Sequence, residues 1–182
     1  MKLILRRLHF LFAAILIFLP NGVLAENHVK VTVDAKTRQA LVSQNQIDGQ
    51  EDRALLIFAQ NIWHNVHFDK NALQSVQQAS EKYFYEFDSM KLKKGKKETS
   101  KKYGTIDSFV EWGSDKTALD RFSQTKADIG YVFVKAAPYF SITIHSAQNK
   151  NNAVKGSAYK KMDELRLLFT KAQLSDFIKQ TQ

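Results

Sequence analysis

Between residues 28 and 33 apolar and polar side chains alternate, with Val29, Val31 and Val33 on one side and His28, Lys30 and Thr32 on the other. A period of two is that of a half-buried β-strand. Residues 34–47 are polar and carry no clear period, and Ile47-Asp48-Gly49 reads as a turn. From Glu51 the spacing changes. Leu55, Phe58, Ala59 and Ile62 recur at intervals of three and four, behind acidic Glu51 and Asp52, and this pattern predicts a helix. Asp69 is placed to cap a second helix, whose apolar stripe is Leu73, Val76, Ala79, Tyr83, Phe84 and Phe87.

Residues 91–102 interrupt this pattern, and strand-like runs return beyond them. In 105–112, Ile106, Ser108, Val110 and Trp112 share one face, and Thr105, Asp107, Phe109 and Glu111 the other. Runs 128–135 and 139–145 flank Ala136-Ala137-Pro138 and read as a hairpin turning near the proline. Phe140, Ile142 and Ile144 point one way, while Tyr139, Ser141, Thr143 and His145 point the other. Residues 164–169 alternate through Leu165, Leu167 and Phe169. Thr170 and Gln173 then have capping-box spacing, opening a last helix with Leu174, Phe177 and Ile178 inward. One strand, helices, several strands and a closing helix predict an α+β domain. The expected architecture is a mostly antiparallel sheet of about four to five strands, packed on one face by two or three helices. No internal repeat or low-complexity linker divides residues 26–182, which read as one domain.

The segment ahead of this domain is of another kind. Lys2, Arg6 and Arg7 precede an apolar run at 8–19, Pro20-Asn21-Gly22 breaks it, and Val23-Leu24-Ala25 offers small residues. These are the parts of a secretory signal peptide cleaved after Ala25. The run falls short of the roughly 20 apolar residues that a spanning helix needs. The expected location is therefore outside the cytoplasm, periplasmic or secreted. The chain contains no Cys, which excludes a lipid-modified N-terminal cysteine, thiol nucleophiles, thiolate metal sites and dithiol redox chemistry. Stability then rests on burial alone. The glycines are scattered, so no phosphate-cradling loop of a nucleotide enzyme is present, and no motif implies a cofactor.

Charge narrows the picture further. Three of the 27 Lys and Arg, and none of the 18 Asp and Glu, lie in residues 1–25, so the remainder carries 24 basic against 18 acidic residues. Lys91, Lys93, Lys94, Lys96, Lys97, Lys101 and Lys102, with Glu98 as the sole acid among them, account for that whole excess. Such a cluster belongs on a hydrated loop or a frayed helix end. Lysine is a point charge without the planar fork of arginine, so it favours an anionic surface over a shaped bidentate partner. The expected partners are an anionic envelope lipid or glycan, or an acidic protein, with peripheral membrane contact included. Export and the scarcity of interleaved aromatics argue against nucleic acid.

Three other chemistries bear on this reading. On a helix, His64 and His67 would reach one metal ion, with Asp69, His28 or His145 as a third ligand; on a strand they point to opposite faces. Asp107, Glu111 and Asp128 are the best carboxylate set for a small envelope hydrolase. However, Asp107 and Glu111 are separated by about 13 Å along a strand, and glycosidase pairs sit about 5–9.5 Å apart. No G-x-S-x-G elbow is present, and Gly113-Ser114-Asp115 reads as a turn. Most aromatics are expected in the core, with Tyr85 and Tyr139 off it. The reading that results is an exported, non-catalytic binding protein acting through its lysine segment.

Overall fold

The computed structural model describes residues 27–47, 50–94, 99–154 and 159–182. The segment read as a signal peptide, Asp48 and Gly49 of the expected turn, and Lys96 and Lys97 lie outside these residues. The elements in chain order are β1 (Asn27–Val33), β2 (Lys36–Ile47), β3 (Gln50–Ala59), β4 (Ile62–Phe68), α1 (Lys70–Asp88), β5 (Thr99–Gly113), β6 (Arg121–Val134), β7 (Ala137–Ile144), β8 (Ala147–Gln148), β9 (Lys161–Met162), β10 (Leu165–Phe169) and α2 (Lys171–Thr181). Strands β1 to β7 form an antiparallel meander, and β10 lies between β7 and β1 to close an eight-stranded barrel. Strands β8 and β9 make a separate two-stranded sheet.

This corrects the α+β expectation: the molecule is a closed barrel with two helices among the described residues, not a sheet covered by two or three. The helix expected from Glu51 is the β3–β4 hairpin, in which Leu55 pairs with Val66 and Ile57 with His64. The physical reason is that β3 is apolar on both faces. Leu55, Ile57 and Ala59 point into the barrel, while Ala54, Leu56 and Phe58 lie on its outer wall, so apolar residues also fall at three- and four-residue intervals. The polar stretch 34–47 is largely β2, on whose inward face small Ala40 and Val42 are buried and Arg38 follows toward the turn.

Two tight turns are hidden in the sequence because they lack glycine. Asp34-Ala35 and Gln60-Asn61 all adopt positive φ, between 51 and 62°. That is the backbone of the two-residue hairpin turns that usually announce themselves through Asn-Gly or Asp-Gly. The β6–β7 hairpin turns at Lys135-Ala136, and Pro138 sits inside β7 opposite Phe133.

Inward positions on every strand fill the barrel. Val31, Ile57, Val66, Val110, Ile129, Ile142 and Leu167 are all buried, as is Trp112, whose indole N–H donates to the Tyr159 carbonyl at 2.8 Å. Both helices follow strands that end at the same rim, and they close it. Tyr83 of α1 packs on Phe140 and Tyr131, with ring centroids 5.6 and 6.4 Å away. Phe177 of α2 packs on Phe169 and Phe68. The Asp69 carboxylate caps α1 by accepting from the Ala72 N–H at 2.7 Å. Thr170 and Gln173 form the reciprocal box at the start of α2. The outer wall carries Lys30, Asp107, Lys126, Asp128 and Arg166, so this barrel is apolar inside and charged outside. A barrel whose wall faces lipid has the reverse arrangement. No helix among the described residues is long and apolar enough to cross a membrane.

Candidate functional site

The lysine segment straddles the end of α1 and the start of β5, and its members have different fates. Lys91, Lys93 and Lys94 follow the helix and are exposed. The Lys91 ammonium donates to the Tyr85 hydroxyl at 2.8 Å and lies 4.5 Å from the centre of its ring. The Tyr131 hydroxyl, reaching out from the barrel rim, bonds both the N–H and the carbonyl of Lys93 at 3.2 Å. This fixes the backbone beneath the lysines. Lys101 instead pairs with Glu86 of α1 at 2.5 Å, and Lys102 with Asp128 of β6 at 2.8 Å. Burial alone would raise the Glu86 carboxyl, but hydrogen bonds from Lys101 and Tyr103 hold it below its ordinary range. These two lysines tie the helix and the neighbouring strand to β5. Both remain exposed, as Lys91, Lys93 and Lys94 are, but their ammonium groups are engaged with carboxylates.

The histidines do not converge. In β4 they stand on opposite faces, as an extended backbone requires. His64 points into the barrel beside Ile57 and Trp112, with Nε2 3.2 Å from the Ala59 carbonyl. Burial, opposed only in part by that carbonyl and by Asp34, lowers its pKa to about 4, so it is neutral. His67 lies on the outer wall between two carboxylates. Its Nδ1 is 2.7 Å from Asp52 of β3, and its Nε2 is 2.9 Å from Glu111 of β5. Burial favours the neutral ring here too, but the two hydrogen bonds and the two negative charges outweigh it and raise the pKa to about 9. The hydrogen bond from His67 in turn holds Glu111 below its ordinary range, with help from Asn65 at 3.1 Å. The His67 Nε2 also lies 3.0 Å from the Asn65 amide nitrogen, so both ring nitrogens are taken up by these neighbours. This group staples β3, β4 and β5 together.

Sequence reasoning missed Asp52 and Asn65 as members of this cluster because both lie in a segment it assigns to a helix and its exit. Strand alternation would have placed them with His67 and Glu111. The other carboxylates remain apart. Asp107 is exposed, 4.0 Å from Lys126, while Asp128 faces Lys102, Thr105 and His145. The structure therefore does not bring Asp107, Glu111 and Asp128 to one point. Among the described residues no group of His, Asp and Glu is arranged to hold a metal ion. Tyr85 is off the core as expected, and Tyr139 lines an open groove on the outer wall between β1, β7 and β10.

By class, the molecule is a closed, eight-stranded antiparallel barrel with a packed apolar interior, its exposed charge excess beside one helix-covered rim. The chain belongs to the family described as an uncharacterised Treponema protein, which matches residues 48–182. No curated protein and no solved structure matches it.

Proposed function

We propose that this is an exported, non-catalytic binding protein that captures an anionic envelope component or an acidic partner through its lysine segment. The observation that carries the reading is the concentration of six of the chain's nine excess positive charges between residues 91 and 102, the other three being Lys2, Arg6 and Arg7. The filled barrel supports it, because side chains occupy the space in which barrels of this size otherwise hold a small ligand. Lys91, Lys93 and Lys94, with Lys96 and Lys97 from the sequence, supply the contact. Each contributes about 1 kcal/mol near an anionic surface, within a Debye length of about 8 Å at physiological salt. Five such charges amount to at most about 5 kcal/mol, which corresponds to weak, reversible capture in the range of hundreds of micromolar.

The test is charge reversal at Lys93, Lys94, Lys96 and Lys97, all to Glu. The wild-type protein is expected to be retained on anionic vesicles or acidic polysaccharide at low salt and released as salt rises, and the reversed protein to flow through. Equal retention of the two would remove the reading.

A further inference from the structure

The C-terminal end of α1 is closed by a backbone motif that normally rests on glycine. The Lys91 N–H donates to the Glu86 carbonyl at 2.8 Å and the Met90 N–H to the Phe87 carbonyl at 3.0 Å. This is the paired closure that places one residue in the left-handed region. Here that residue is Met90, with φ 55°. An L side chain is disfavoured at such a φ, and Met90 recovers nothing by packing, since it is 93% exposed. One turn earlier Tyr85 is 62% exposed, with the Lys91 ammonium against its ring.

The surroundings of these two side chains are positive. Lys91, Lys93 and Lys94 are exposed around them. The two acids of the last helical turn are already engaged: Glu86 with Lys101 and Tyr103, and Asp88 with Lys171 at 2.5 Å. The clamp of Tyr131 on Lys93 holds this ridge against the barrel. A strained, unpacked apolar side chain at the tip of a cationic ridge is a feature that stability alone does not select.

We propose that this ridge docks on an anionic phospholipid bilayer, with Met90 and Tyr85 entering the interfacial layer and Lys91, Lys93 and Lys94 meeting the headgroup phosphates. The inference rests on the lysine reading above and names its partner. Charge complementarity selects an anionic surface, and the convex apolar tip selects lipid over a hydrated glycan, which offers Met90 nothing to be buried in. Tyrosine suits the same layer, its ring in the apolar part and its hydroxyl toward water.

The experiment is flotation of the purified protein with vesicles of phosphatidylcholine alone, or of phosphatidylcholine with an equal part of phosphatidylglycerol. Acidic polysaccharide beads run in parallel. The wild type is expected to float with the anionic vesicles only. Met90→Gly is expected to weaken that partition about tenfold, the loss that removing one buried apolar side chain produces, while its melting temperature holds or rises because glycine relieves the positive φ. Met90→Leu is expected to bind like the wild type. If Met90→Gly floats as well as the wild type while charge reversal abolishes flotation, lipid insertion is overturned and the lysine reading stands. Salt-sensitive retention on polysaccharide without flotation has the same consequence. Flotation that charge reversal leaves unchanged overturns both.

Discussion

Titration of His67 sets how stability depends on pH above neutrality. Its pKa rises from 6.5 to about 9 on folding, so the folded state holds the proton more tightly than the unfolded chain does. For a group whose pKa is raised by folding, the stabilisation is present in full below pH 6.5 and is lost as pH rises through about 9. Each tenfold gain in proton affinity corresponds to about 1.36 kcal/mol, so the contribution is about 3 kcal/mol. That is a large share of the roughly 5–15 kcal/mol that stabilises a domain. Urea unfolding of the wild type between pH 6.5 and 9.5 should therefore show a fall of about 3 kcal/mol. His67→Gln should be less stable than the wild type at pH 6.5 and nearly flat over the same interval, because neither Asp52 nor Glu111 then faces a cation. The two proteins should converge near pH 9.5. Parallel slopes for wild type and variant would refute the argument, since the titrating group would then lie elsewhere.

Further expectations follow from the same geometry. His64 works in the opposite sense: its folded pKa of about 4 lies below the unfolded 6.5, so stability should fall as pH drops through that window, and His64→Phe should reduce the loss. With His67, this places the stability maximum of the wild type near pH 6.5, readable from a series of thermal melts. A Cβ on Gly130 would sit 2.2 Å from the Lys101 carbonyl at the β5 irregularity, whereas one on Gly104 would meet nothing within 4 Å. Gly130→Ala should therefore cost at least about 3 kcal/mol, and Gly104→Ala less than about 1 kcal/mol. Equal melting temperatures would contradict the close approach. Thr170→Ala removes the capping box at α2 and should cost about 1 kcal/mol in urea unfolding.

Local patterns are legible wherever one face of an element is apolar and the other polar. The alternation in β1, β5, β7 and β10 is read directly from the chain, and so are the Asp69 cap, the Thr170–Gln173 box and the inward stripe of α2. Strands β2, β3 and β4 are not legible, for two reasons. The inward face of β2 carries Arg38 beside small Ala40 and Val42, and β3 is apolar on both sides, so neither presents a clean period of two. Their turns at Asp34-Ala35 and Gln60-Asn61 hold positive φ without the glycine that would mark them. The loss of β3 and β4 turns a closed barrel into an open sheet covered by helices. It also hides the cluster of Asp52, His67 and Glu111, since residues from three adjacent strands meet only once those strands are in register.

Composition and local order by themselves determine several properties of this protein. Its chemistry has no thiols, its stability draws on no disulfide, six of its nine excess positive charges lie within twelve residues, and its helix caps follow from side chains acting on the next three positions. These depend on neighbours along the chain or on the inventory of residues alone. Tertiary structure decided the rest. It closed the sheet through the contact of β10 with β1, paired Lys101 with Glu86 and Lys102 with Asp128, and placed exposed Lys91, Lys93 and Lys94 beside Met90. Those outcomes turn on which strands pair and which side chains meet across them. Such pairings join residues as far apart as Thr32 and Leu168, a separation that no local period encodes.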